Sequence, residues 1–220
     1  MYDNKGLSTE IDLTNAAFTN SLTSMQSAFY TASGTTRDFT EITLGSSSDF
    51  SNVETLQNTF RNNSSLTLNL PTNLDLTNLT NGSNIATDTI VNSAGYDRFL
   101  NRLKATWDTN LVAGTLNFGS SQYTESIVTT GSATSTVAFK LVDTNPGNDF
   151  GPSGLNIQVG DIVIDVMNNS AEVTAVDNAT TLSLDTDIMV SGEAYEIDNG
   201  TPAKDKYWLE DQGWTISDGN

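Results

Sequence analysis

The residues with the most chemistry to offer in this chain are carboxylates. Asp143-Thr-Asn145-Pro-Gly-Asn148-Asp149 gathers four Asp or Asn side chains within seven residues, and Asp185-Thr-Asp187 adds two more carboxylates. A hard cation such as calcium takes six to eight oxygens in a loop of defined geometry. The Asp-x-Asn start suits that chemistry, but no Glu closes the loop at its twelfth position, which is Gly154. The segment therefore reads as polar turn. Calcium is the one ion these residues could serve, no other cofactor is expected, and no residue is assigned as a metal ligand.

Carboxylate pairs also cleave glycosidic bonds when two of them face each other about 5 to 10 Å apart. Nothing in the sequence selects one pair from 27 Asp and Glu, and a solvated acidic surface accounts for them. No catalytic residue is assigned, and the chain is expected not to be an enzyme. Trp107, Trp208 and Trp214, with Tyr96, Tyr123 and Tyr207, could form a platform for sugars. All but Tyr123 and Tyr207 fall at spacings typical of a core, so packing is the expected role. The glycines of Gly151-Pro-Ser-Gly154 and Gly160 do not sit between a strand and a helix start. They read as turn and bulge positions, not as a phosphate cradle.

Composition narrows the classes further. Nine Lys and Arg stand against 27 Asp and Glu, a net charge of −18. Such a charge repels phosphate backbones and anionic headgroups, so nucleic acid is not an expected partner, nor is a polybasic membrane contact. The chain has no Cys and no His, which removes thiolate nucleophiles and the usual general base near neutral pH. No run of 18 apolar residues is present, so membrane insertion through an apolar helix is not expected. Met1-Tyr-Asp-Asn-Lys-Gly lacks the apolar core of a signal peptide.

The elements that carry these residues begin with an internal repeat. Ile11-Asp-Leu13, Ile42-Thr-Leu44 and Leu68-Asn-Leu70 are each an apolar-x-apolar strand signature. Each is followed about a dozen residues later by a second apolar group: Leu22, Met25 and Phe29; Val53, Leu56 and Phe60; Leu79 and Ile85. That spacing predicts one or two helical turns per unit. The units recur at offsets of about 31 and about 26 residues, roughly the leucine-rich range. One such unit cannot bury its apolar stripe alone and must stack on the next.

Beyond the repeats, apolar residues at 96, 99, 100, 103 and 107 predict an amphipathic helix with Ser93 as its cap. A strand is expected at Thr115–Phe118. From about Ser126 to Ile197 the chain reads as all-β, with strands at Ser135–Val142, Ile157–Val166, Ala171–Val176, Thr181–Leu184 and Ala194–Ile197. Thr201-Pro-Ala begins a helix that runs to about Asp211, and Gly213 ends it ahead of a strand at Trp214–Ile216.

The segments on either side of the β region read as one interrupted motif. Tyr96-Asp-x-Phe-Leu-x-Arg-Leu103, Leu116-x-Phe-Gly-Ser-Ser-Gln-Tyr123 and Thr201-Pro-Ala-x-Asp-Lys-x-x-Leu-Glu-x-x-Gly-Trp-Thr-Ile-x-Asp-Gly-Asn220 resemble the closing unit of BspA-like leucine-rich repeat surface proteins. Ser51-Asn-Val-x-x-Leu-x-x-x-Phe60 is similar to a repeat of that family. In the family, Ser-x-Tyr-Thr is followed closely by Pro-Ala, whereas here about 75 residues intervene. The usual Met-x-x-Met-Phe is degraded in all three repeats. The start, Met1-Tyr-Asp-Asn-Lys-Gly-Leu-Ser, resembles the middle of a repeat, so Met1 need not be a natural start. The intervening Val159–Val166, Ala171–Asp177 and Thr181–Leu184 are similar to a small β-module of marine tailed-phage structural proteins. The first resemblance implies adhesion and surface display, and the second implies a virus particle.

The expected fold is α+β. It is a short, degenerate leucine-rich-type solenoid over 1–124, closed by 200–220 and interrupted by a small five-stranded β-barrel or roll over 125–199. The expected function is that of a virion structural protein, a fibre or a capsid or tail decoration, acting in assembly and multivalent adhesion. A bacterial cell-surface adhesin is the alternative, and a carboxylate-based glycan-cleaving enzyme the second. Expected partners are further copies, other capsid or tail proteins, and a host surface glycan or protein receptor. The expected location is the virion surface or the extracellular space.

Overall fold

The computed structural model describes residues 9–16, 18, 21–32, 38–145 and 147–219. The Met1–Ser8 start and Pro146 of the acidic segment lie outside the described residues. The chain divides into two compact units, residues 1–123 with 209–220 and residues 124–208. Among the described residues no helix is long and apolar enough to cross a membrane.

In the first unit, β1 (Glu10–Leu13), β2 (Glu41–Leu44), β3 (Ser65–Asn69) and β4 (Ile90–Val91) form a parallel sheet in chain order. Ile11 pairs with Ile42, and Ile42 with Leu68, so the apolar-x-apolar signatures stack in register. Period-two alternation buries Ile42, Leu44, Leu66 and Leu68 and turns Glu41, Thr43, Thr67 and Asn69 the other way. β4 is only two residues long, too short to leave an alternation that sequence reading can detect.

A second parallel ladder joins the later part of each repeat. Met25 N–H donates to Thr55 O (3.1 Å) and Phe29 N–H to Thr59 O (2.9 Å). Leu56 N–H then donates to Asn81 O (2.8 Å) and Phe60 N–H to Ile85 O (2.8 Å). Gly82 N–H reaches Thr115 O (2.9 Å) in β5 (Thr115–Asn117), which pairs in parallel with β12 (Thr215–Ser217).

The helical turns expected at Leu22–Phe29 and Val53–Phe60 do not form. Each stretch is instead a chain of tight turns interrupted by left-handed residues. Ser27 (φ 58°), Asn58 (56°) and Asn84 (54°) occupy one repeat position, and Asn62 (61°) and Asp88 (58°) another. A left-handed residue cannot continue a right-handed helix, and Asn, Asp and Gly adopt that conformation at least cost. Turns of about three residues still place Val53, Leu56 and Phe60 inward. Phe29 and Phe60 stack at 5.8 Å with parallel planes.

A buried polar column holds successive repeats together. The Asn63 carboxamide accepts from Phe39 N–H (2.8 Å) and donates to Phe29 O (3.0 Å) and Phe60 O (2.7 Å). One repeat on, Thr89 Oγ1 accepts from Asn63 N–H and donates to Phe60 O. One further on, Ser121 Oγ accepts from Val91 N–H and donates to Thr89 O.

Helix α1 (Ser93–Thr106) begins one residue earlier than a Ser93 cap implies and buries Tyr96, Phe99, Leu100 and Leu103. Ser93 is not its cap. Asn92 holds the cap position, makes no capping bond, and accepts from Leu68 N–H instead (2.8 Å). Trp107 donates Nε1–H to Leu79 O (2.9 Å) and packs edge-on against Trp214 (5.4 Å). Tyr96 donates its hydroxyl to Asp218 (2.6 Å), tying the last turn of the chain to α1. Helix α2 spans Thr201–Asp211, Gly213 follows with φ 95°, and the division between the units falls inside this helix.

The second unit is a six-stranded antiparallel half-barrel sheet, not the five strands expected. Its strands are β6 (Ile127–Ser132), β7 (Lys140–Val142), β8 (Ile162–Asp165), β9 (Ser170–Asn178), β10 (Thr181–Leu184) and β11 (Ala194–Asp198). Their order is β6-β11-β8-β9-β10-β7. β6 went unforeseen because Thr-Thr-Gly-Ser carries no apolar alternation. The strands expected at 135–142 and 157–166 are shorter, since a Val137–Lys140 turn and the Gly160 turn (φ 91°) take their first halves. Phe150, Val163, Ala171, Val173, Leu182 and Ile197 lie in the core.

The chain enters and leaves this sheet side by side. Asn199 N–H donates to Ser126 O (3.2 Å), and Asp198 accepts from Ser126 N–H (3.2 Å) and Gly200 N–H (2.6 Å). A Cβ at Gly200 would lie 3.2 Å from the Ser126 side chain, so this approach favours glycine. The first turns of α2 belong to the same unit. Lys204 pairs with buried Asp161 (3.0 Å), and Tyr207 bonds Asp185.

Two outcomes follow. Asn63→Ala should lower stability by about 2 kcal/mol in urea unfolding, because Phe39 N–H and the buried Phe29 O lose their Asn63 partner, while Phe60 O keeps the bond from Thr89. A fragment of residues 124–208 should fold alone with dispersed amide signals. A fragment of 124–199 should melt roughly 5 °C or more below it, through loss of the Asp161 and Asp185 partners; equal melting would refute the assignment of α2 to this unit.

Candidate functional site

The acidic segment singled out in the sequence is drawn inward. Asp143 is fully buried, directly after β7. Its Oδ1 accepts from Asn145 N–H (2.9 Å), and its Oδ2 accepts from Asn148 Nδ2–H (2.7 Å) and the Tyr195 hydroxyl (2.7 Å). Thr129 of β6 extends the network to Asn148 Oδ1 (3.4 Å). Thr134 N–H donates to Val142 O (2.7 Å), linking the chain just after β6 to the end of β7. The network thus lies where the sheet's first and last strands come together.

Charge and burial oppose each other at Asp143. Burial pushes its carboxyl up, but the bonds from Asn145, Asn148 and Tyr195 outweigh burial and hold it below the ordinary value. Burial first, and then the bond and charge of Asp143, push the Tyr195 hydroxyl far above the ordinary phenol value. Tyr195 therefore remains a donor and Asp143 an acceptor throughout the neutral range.

The other predicted oxygens do not converge on this carboxylate. Asp149 turns to its own loop and accepts from Gly151 N–H (2.8 Å). Asp185 accepts from Glu172 N–H (2.8 Å) and from the Tyr207 hydroxyl, and Asp187 accepts from Phe139 N–H (3.0 Å). Among the described residues no group of three or more Asp and Glu is placed to hold a metal ion. These carboxylates act as acceptors that fasten loops.

The aromatic residues also divide. Tyr96, Trp107 and Trp214 are buried, and so is Tyr123 although its spacing is not that of a core, while Tyr207 and Trp208, the latter at core spacing, are half-buried. The four buried rings cannot offer a platform to a sugar.

A second feature had no sequence signal. A groove of about 540 Å³ is lined by Thr130, Ser132, Ile164, Val166, Ala194 and Glu196, among others. Its volume lies in the range of small-ligand sites, about 300–1,000 Å³. Glu196 pairs across the sheet with Thr130 on one side and Ile164 on the other, and Ala194 pairs with Ser132. This places a carboxylate and hydroxyls beside aliphatic side chains. The only available signal was the alternation of β6 and β11, which the missing apolar period of β6 concealed.

Comparison with protein-family models, curated proteins and solved structures gave no match.

Because the folded-state pKa of Asp143 is depressed, its contribution to stability is complete above the unfolded value of about 3.9. It fades as pH falls through the lower folded value. Asp143→Asn should cost about 1–3 kcal/mol at pH 7. The variant should also lose less than the parent between pH 5 and pH 2, read from urea midpoints at each pH. Parallel acid limbs would remove Asp143 from the set of groups that set acid stability.

Proposed function

We propose that this chain is a virion structural protein, a fibre or a capsid or tail decoration, that serves assembly and multivalent surface adhesion. In this reading the first unit is a short leucine-rich-type solenoid of BspA-like kind with a closing unit, and the second is an inserted display module. The observation that carries the reading is the pair of parallel ladders, β1 to β4 and Met25 through Phe118, repeating every 25 to 34 residues along the chain. A stack of this type exposes one chemically similar strip per repeat, and contacts that are weak singly gain strength with copy number.

Two further features support it. The carboxylates that the sequence offers for chemistry, Asp143, Asp149, Asp185 and Asp187, are occupied by donors of their own chain. A net charge of −18 favours solubility and cationic protein partners over nucleic acid. The partners of this reading are further copies, other capsid or tail proteins and a surface receptor, and its location is the particle surface.

Electron cryo-microscopy of the native assembly that contains the chain should show ordered copies at regular positions on a capsid or tail. Isolated monomers without ordered neighbours would overturn the virion reading.

A further inference from the structure

We propose that the groove across β6, β11 and β8 receives a lysine side chain presented by an extended segment of a partner polypeptide. This goes beyond structural display, since it assigns a site and the chemistry of its occupant.

Most carboxylates of this unit already hold donors. Asp143, Asp161, Asp165, Asp177 and Asp185 each accept hydrogen bonds from their own chain. Among the described residues the Glu196 carboxylate has no such partner, and neither do the Thr130 and Ser132 hydroxyls. All three line the same groove. One free carboxylate is too few for a hard cation, which takes six to eight oxygens. It does suit a single ammonium, whose three N–H donors match one carboxylate oxygen and two hydroxyls.

The remainder of the groove fits the stem of that side chain. Ile164 and Val166 provide an aliphatic border on the side of Glu196 opposite Thr130, and Ala194 adds to it two residues before Glu196 on β11. Val166 is 66% exposed, an uncovered apolar surface beside the charge. A lysine buries its four methylenes along apolar surface while its head stays with polar groups. The net charge of −18 favours a cationic partner and disfavours an anionic lipid.

The test is an amide NMR titration of the full chain with a blocked five-residue peptide carrying one central lysine flanked by valine and threonine. Thr130, Gly131, Ser132 and Glu196 amides should shift. The same peptide with acetyl-lysine should bind several-fold more weakly, and Glu196→Gln should weaken the lysine peptide about three- to tenfold. Glu196 is exposed and bonds nothing among the described residues, so the variant should keep the parent's melting temperature. No shift at these amides at millimolar peptide would overturn the proposal, as would equal binding of the acetylated peptide. Neither result bears on whether copies are found on a particle.

Discussion

The first unit depends on one constraint: the backbone of each repeat must find its hydrogen-bond partners in the next repeat. A stretch such as Val53–Asn62 has no helix of its own to satisfy its amides, so Leu56, Asn58, Phe60 and Asn62 donate forward to Asn81, Ser83, Ile85 and Thr87. An unmade bond at a buried amide costs about as much as several made ones contribute. Register between repeats is therefore strongly specified, and buried Asn63, Thr89 and Ser121 reinforce it from inside. The unequal spacing of the units leaves both ladders in register.

The same constraint explains a composition that first reads as merely polar. Each strip needs residues that accept a left-handed backbone, and Ser27, Asn58, Asn62, Asn84 and Asp88 supply them. Asp49, Asp75 and Asp108 each accept from the N–H two residues ahead, at 2.9 Å in all three, and so hold a turn. Much of the acidity is thus local backbone chemistry. That is the physical reason a count of carboxylates points so weakly to a catalytic or metal site in this chain.

What could be read from the sequence follows from how each element is stabilised. The apolar-x-apolar strands at Ile11, Ile42 and Leu68, and the helix around Tyr96–Leu103, are fixed by which face is buried, and burial leaves a period in the sequence. The turns at Leu22–Phe29 and Val53–Phe60 share the apolar spacing of a helix, yet their left-handed residues exclude one, so periodicity alone misassigns them. β6 left no period because Gly131 faces inward against the Tyr195 hydroxyl, where a Cβ would lie 2.5 Å away. The groove inherits that silence, since two of its polar side chains stand on β6 and acquire meaning only through pairing with β11.

The two units meet the same difficulty in different ways. A half-barrel must shield the region where its end strands approach each other, and here buried Asp143 and Tyr195 with half-buried Asn148 do so with mutually satisfied polar groups. A fully satisfied polar network specifies one arrangement where an apolar patch would tolerate several, and an unsatisfied one would open it. With Asp143 held ionised by its donors, the network stays intact across the neutral range, and its rigidity extends through Tyr195 into β11. Glu196 is the next residue on that strand, and its side chain faces the opposite side of the sheet. The internal acid therefore fixes the backbone from which the external acid projects, so a rigid groove wall and a closed seam are two consequences of one strand.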